Sequence, residues 1–173
     1  MDLVTAARRG REKAFLELFD AHHASLFRFA FRMTGSVSDA EDIVQECFLE
    51  LLRPTCRYDA SRGSVRTWLF GVARNQCLKR IARKEESERH EPTDVRSPET
   101  AASRSELNEL VGRALAQLPD KQREVLILAH FEGVPLAEIA TAVGIEVGAV
   151  KSRLQRARTA LRNSLAGCRS AMK

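Results

Sequence analysis

The chain predicts an all-α protein of two helical lobes joined by a polar linker. Three observations carry that. Ala, Leu, Glu and Arg are plentiful while Gly and Pro are sparse, with 9 and 5 among 173 residues, a balance that favours helix. Apolar residues recur at steps of three and four throughout, and no period-two alternation is present. One stretch, Glu85 to Glu106, breaks the pattern, with Pro92, Pro98, many acids and Val95 as its lone large apolar residue before Glu106. At 44% hydrophobic residues the chain has enough apolar surface for one or two modest cores, which excludes a disordered protein.

Taken in order, Phe15, Leu18, Phe19, His22, Leu26, Phe29, Ala30 and Met33 form the stripe of a long amphipathic helix from Arg11, ended by Gly35. Ser38 and Glu41 read as a capping box opening a second helix, whose stripe is Ile43, Val44, Cys47, Phe48, Leu51 and Leu52 and whose end is Pro54. Tyr58 to Gly63 is a polar turn. Val65, Trp68, Leu69, Val72 and Ala73 then start a third helix running to about Lys84. The first lobe is thus residues 1–84, the linker 85–106 and the second lobe 107–173. In the second lobe, Leu107, Leu110, Val111, Ala114, Leu115 and Leu118 precede a break at Pro119-Asp120, and Val125, Leu126, Ala129 and Phe131 resume the pattern before Gly133. Pro135 to Ala142, a turn at Val143-Gly144-Ile145, and Gly148 to about Leu165 make a helix-turn-helix.

Function is written in where the charges fall. Net charge is +5, which suits a polyanionic partner. Within the last helix, Val150, Leu154, Ala157 and Leu161 face inward, and no residue from Val147 to Lys173 is acidic. A second helix of such a motif enters the major groove, where Arg forks to guanine and Gln pairs with adenine, so Ser152, Gln155 and Arg156 are candidate base readers. Lys151, Arg153 and Arg158 suit phosphate. A second basic run, Arg74, Lys79, Arg80, Arg83 and Lys84, closes the first lobe beside Asn75, Trp68 and Tyr58, the cationic track with aromatics that holds single-stranded nucleic acid. Trp68, in step with Leu69 and Val72, reads as core ahead of stacking platform, and Tyr58, in its polar turn, is the more available ring. The second helix has the opposite sign: Asp42, Gln45, Glu46 and Leu49 lie on one face among Asp39, Glu41 and Glu50, a surface that phosphate repels and a basic protein attracts. Its first-turn acids also suit the helix dipole.

Other classes find little support. No apolar run reaches the roughly 18 residues of a membrane span, and the opening MDLVTAARRGREK lacks a signal peptide's apolar core, so a cytoplasmic protein without membrane insertion is expected. Cys47, Cys56, Cys77 and Cys168 are scattered without a CxxC pair, so neither a disulfide framework nor a metal site is expected. His22, His23, His90 and His130 do not converge with nucleophiles or acids, so no catalytic residue, enzyme activity or cofactor is expected.

The runs DAEDIVQECF (Asp39–Phe48), TWLFGVARN (Thr67–Asn75), LPDKQREVL (Leu118–Leu126), EIA (Glu138–Ala140) and VKSRLQRAR (Val150–Arg158) resemble the extracytoplasmic-function (ECF) sigma factors of bacteria, in the right order from about Lys13 to Leu165. The resemblance implies a region 2 domain and a region 4 helix-turn-helix, with core RNA polymerase, promoter DNA and an anti-sigma factor as partners. It implies that Asp42, Gln45 and Glu46, with Leu49 beside them, dock on polymerase. The minus-ten element would be met by Tyr58, Trp68, Arg74, Asn75, Lys79, Arg80 and Arg83. Lys151, Ser152, Arg153, Gln155, Arg156 and Arg158 would meet the minus-thirty-five element. The chain departs from the family's habits at Lys79, Pro135 and Ala149. Open beside this reading is a stand-alone helix-turn-helix regulator whose first lobe senses a ligand or partner.

Overall fold

A computed structural model of the chain describes residues 2–90 and 106–171. Their regular structure is helical, in the order α1 (Leu3–Arg8), α2 (Glu12–Thr34), α3 (Val37–Leu52), α4 (Val65–His90), α5 (Glu106–Ala116), α6 (Asp120–Leu126), a π-helical turn (Ile127–Phe131), α7 (Leu136–Val143) and α8 (Val147–Ala171). The expected elements are all present, with differences at their edges.

Helix α1 was not expected. Asp2 caps it, accepting from the Thr5 N–H at 2.8 Å. Arg8 fixes it to the first lobe by donating from Nε to the Leu51 carbonyl at 2.9 Å, and from Nη2 to Cys56 Sγ at 2.7 Å. Leu51 O belongs to the last turn of α3, where carbonyls lack intrahelical donors, so Arg8 supplies one. Helix α2 ends where expected, at Gly35, whose φ of 72° is left-handed and spares the chain a Cβ clash. The capping of α3 is shifted from the expected position: Ser36, not Ser38, is the N-cap, its Oγ accepting from the Asp39 N–H at 3.1 Å. With the chain reversed at Gly35, the first hydroxyl available is Ser36, and Ser38 is already inside the helix. Helix α4 continues past Lys84 to His90 because Glu85, Glu86 and Glu88 are competent helix formers on an exposed end. Residues 91–105, the middle of the expected linker, lie outside the described residues.

Helices α1 to α4 enclose the first core, around Leu26, Phe29, Met33, Ile43, Leu51, Leu69 and Phe70, with Phe29 and Phe70 in edge contact at 5.6 Å. Cys47 and Cys77 are buried in it. Burial raises both thiols, Cys77 to about 12, so they are protonated packing groups rather than nucleophiles. The second lobe packs α5, α6 and α7 against the inner stripe of α8, Val150, Leu154 and Ala157, over Leu115, Leu126, Ile127 and Ile139. Pro135 precedes α7 as an N-cap without a side-chain hydrogen bond, its φ of −58° already set for the helix, and Gly144 at φ 75° ends α7 into the turn before α8.

The two lobes meet along α2 and α4 on one side and α5, α6, the π-turn and α7 on the other. Gly71 lets α4 and α7 approach closely there: a Cβ on it would stand 3.2 Å from the Ala142 carbonyl oxygen, a tight contact that the backbone would have to ease by a few tenths of an ångström. Arg66 Nη2 also donates to the Glu132 carbonyl at 2.6 Å, and Thr67 Oγ1 to Glu138 Oε2 at 2.9 Å.

Candidate nucleic-acid interface

On α8 the inward stripe fixes the roll of the helix, and the outward face follows from it. Lys151, Ser152, Gln155, Arg156 and Arg158 are exposed, four of them in two adjacent turns. Arg153 is different. It turns toward α6 and reaches the carboxylate of Glu124 at 3.4 Å, leaving its side chain 22% exposed. Arg158 donates from Nε to His130 Nε2 at 2.8 Å. The His130 ring must be neutral to accept, and burial, then the charge of Arg158, lower its pKa from the ordinary value.

On α4 the expected cationic track divides. Asn75, Lys79 and Arg83 are exposed. Arg74 crosses to the second lobe and forks onto Glu124, Nε to Oε2 at 2.7 Å and Nη2 to Oε1 at 3.3 Å. Arg80 lies 3.1 Å from Asp39 and 3.9 Å from Asp42 on α3. A minus-ten candidate and a polymerase candidate therefore touch each other. Trp68 packs on the core, as its spacing with Leu69 and Val72 predicts, while it also meets Tyr58 edge-on at 6.0 Å and lines a cavity of about 320 Å³ with Tyr58, Arg57, Arg62 and Asn75. Burial raises the Tyr58 hydroxyl's pKa, so it stays a neutral donor.

The face of α3 opposite its core stripe is open: Asp42, Gln45 and Leu49 are exposed, Leu49 by 54%. An exposed leucine inside an acidic patch suits a protein contact better than water or phosphate. Glu46 and Glu50 share Arg53, at 3.2 and 2.6 Å, so the face is less negative than its helix sequence implies.

The chain matches the family model Sigma-70 region 2 over residues 18–86 and Sigma-70, region 4 over residues 108–161. It is 30% identical to ECF RNA polymerase sigma factor SigW of Bacillus subtilis, with 94% of each chain aligned. The chain belongs to the ECF sigma factors. Identity to SigL of Mycobacterium tuberculosis H37Rv, another ECF sigma factor, is 37% over 95% of this chain and 96% of the relative. In the fold, the sigma factor is similar to CnrH, solved in complex with the cytosolic domain of CnrY, at TM-score 0.71 and 26% identity over 95% of this chain and 96% of that one. Among the described residues no helix of this sigma factor is long and apolar enough to cross a membrane.

Three residues that sequence reasoning did not single out organise the contact between the lobes of the ECF sigma factor. Glu124 and Glu132 are buried acids in the second lobe, their side chains 0% and 1% exposed. Glu132 binds Arg28 at 3.0 Å and lies 3.7 Å from Arg32. Arg123, also buried, donates to Leu115 O, Ala116 O and Leu118 O at 2.8–3.0 Å and to Met33 O of the first lobe at 2.8 Å. Glu132 offered a signal, an acid between Phe131 and Gly133-Val134 where burial requires a partner; Arg123 and Glu124 end the polar run Asp120–Glu124 and offered none.

Proposed function

We propose that this ECF sigma factor binds core RNA polymerase through α3 and carries the polymerase to a promoter read by both lobes. Residues 1–84 act as region 2, with Asp42, Gln45, Glu46 and Leu49 against polymerase and Tyr58, Trp68, Arg74, Asn75, Lys79, Arg80 and Arg83 at the minus-ten element. Residues 107–173 act as region 4, with Lys151, Ser152, Arg153, Gln155, Arg156 and Arg158 at the minus-thirty-five element, and residues 85–106 connect them. The observation that supports this best is the separation of sign: α3 exposes Asp42 and Leu49, while α8 exposes Lys151, Gln155 and Arg156 and carries no acid from Val147 onward. One chain thereby holds a protein-facing and a DNA-facing helix. A factor of this kind performs no catalysis itself and works in the cytoplasm. An anti-sigma factor holds it inactive, as the family resemblance implies; the similar CnrH is likewise solved with a protein partner, the cytosolic domain of CnrY.

The test is transcription in vitro with core polymerase on fragments of the host genome, paired with core binding by Glu46→Lys. The substitution places a like charge against a basic contact, and association falls by several kcal/mol, on the order expected for charge pairs at protein interfaces. Losing the exposed Arg53 pair costs the fold under about 1 kcal/mol. Unchanged core affinity with intact helicity would sink the α3 docking face. A stand-alone regulator would instead bind its operator tightly without polymerase.

A further inference from the structure

The cavity of about 320 Å³ beside α4 brings together rings, cations and one oriented amide. Tyr58 and Trp68 meet edge-on at 6.0 Å in its lining. In an edge-on pair one ring offers its edge and keeps its faces, so a flat base can stack beside the two. Arg57, Arg62 and Asp59 are the charged residues of the lining, two cations to one anion. Asp59 is already engaged, its Oδ1 accepting from the Ser61 N–H at 2.9 Å and from Ser61 Oγ at 2.7 Å. Arg57 and Arg62 are exposed and make no salt bridge among the described residues, so their guanidinium forks remain for an anion such as phosphate. Asn75 is the group that chooses a base. Its Oδ1 accepts from Arg74 Nη1 at 3.3 Å, which leaves the amide N–H groups to donate. A bidentate pair with adenine needs the amide to accept as well as donate, whereas guanine presents two acceptors, O6 and N7.

We infer that this cavity is a binding site for a free guanine nucleotide, its base stacked on the Tyr58–Trp68 pair with Asn75 Nδ2 donating to the O6/N7 edge, and its phosphates on Arg57 and Arg62. The volume stands at the low end of the roughly 300–1,000 Å³ of small-molecule sites, so one nucleotide fills it. Thr141 and Ala142 of α7 also line the cavity, which suits a single nucleotide better than a continuous strand that must leave at both ends. A nucleotide held there covers Tyr58, Trp68 and Asn75, and that it would thereby exclude a promoter strand rests on the minus-ten roles proposed above. The binding itself does not rest on them.

Trp68 is the chain's sole tryptophan, so its fluorescence reports the site directly. Titration of the full-length chain with GDP should quench it saturably, and ADP should bind about tenfold more weakly, the order of one misread base contact. Guanosine should also bind more weakly than GDP, and inorganic phosphate alone should not quench. Replacing Arg57 and Arg62 together by Ala should bring GDP down to the affinity of guanosine, while Asn75→Ala should make GDP and ADP equal. All three positions are exposed, so the variants should keep wild-type helicity by circular dichroism. No saturation by about 1 mM GDP overturns the site. So do wild-type affinities that do not separate GDP from ADP, or variants that bind as the wild type does. A short single-stranded oligonucleotide should bind the free chain more weakly than GDP, and tighter binding by it would assign the cavity to a strand instead. None of these readings involves polymerase or a promoter. Failure of the wild-type chain with core polymerase to initiate on any promoter fragment would defeat the sigma reading and leave the nucleotide result standing.

Discussion

Helices α6 and α8 pack side by side in the second lobe, and each carries an arginine inside a similar stretch of sequence, yet the two are used in opposite ways. Arg123 on α6 is buried, and its guanidinium donates to four carbonyls: three around the end of α5 and one, Met33 O, in the last turn of α2. Helix C-termini leave carbonyls without donors and carry partial negative charge, so one planar cation with five N–H groups finishes two helices at once. Arg156 on α8 is exposed, and its α8 neighbours Lys151, Ser152 and Gln155 also face solvent. Identical chemistry is structural where carbonyls converge on it, and available to an outside partner where none do.

The largest expected effect comes from removing the inward arginine. Arg123→Met should destabilise the protein by about 3 kcal/mol, since each buried acceptor left without a donor costs about 1–3 kcal/mol and some recover water. For a chain this size that is a fall in melting temperature of roughly 6–12 °C, measurable by circular dichroism. Arg123→Lys should restore little, because an ammonium presents its donors from one point and cannot span the ends of two helices. A lysine variant as stable as the wild type would show that charge alone, and not the fork, completes α5 and α2.

The same contrast explains what was legible in the sequence. Periodicity gave the helices and the helix-turn-helix because the apolar stripes are local and long: Val150, Leu154 and Ala157 set the roll of α8 without reference to any other element. The outward face of α3 was readable for the same reason. Which arginine of a basic run is spent inside the protein was not readable, because that depends on acids and carbonyls far away in the chain. Arg74 and Glu124 are fifty residues apart, and Arg28 and Glu132 over a hundred. The capping of α3 was missed by two residues because Ser36 and Ser38 are equally good caps, and only the left-handed Gly35 selects between them. Helix α1 was missed because six residues offer too short a stripe, and its anchor, Arg8 on Leu51 O, is again non-local.

A smaller effect tests the outward arginine. Arg156→Ala should leave the melting temperature within the range of ordinary surface changes, about 0.5 kcal/mol. It should weaken holoenzyme binding at the upstream promoter element by about 1–3 kcal/mol and relax selectivity at one base pair, as loss of a bidentate guanine contact does. Asn75→Ala should change discrimination at the downstream element instead. Equal losses from both variants on every promoter sequence would make the comparison between inward and outward arginines irrelevant to base reading.

The smallest effect sharpens the boundary between the two classes, because Arg158 belongs to both. It is exposed on the same helix as Arg156, yet its Nε–H is directed to His130 Nε2 at 2.8 Å. As a phosphate contact, Arg158→Ala should lower the salt slope of duplex binding by about 0.9 and weaken all sequences evenly. As a neighbour of His130 it should also change that ring. Burial and the Arg158 charge hold His130 below its ordinary pKa of 6.5. A depressed histidine binds its proton more weakly folded than unfolded, so its contribution to stability is present above pH 6.5 and declines as pH falls through the folded pKa. Protonation puts a second cation beside Arg158, which breaks the hydrogen bond and turns the guanidinium toward solvent. Arg158→Ala should therefore raise the His130 midpoint toward 6.5, read by NMR titration of the ring protons. In the wild type, the Arg158 contribution to duplex binding should grow as pH falls past that midpoint. A His130 midpoint unmoved by the substitution would mean that the hydrogen bond is not held in solution, and Arg158 would then belong wholly with Arg156.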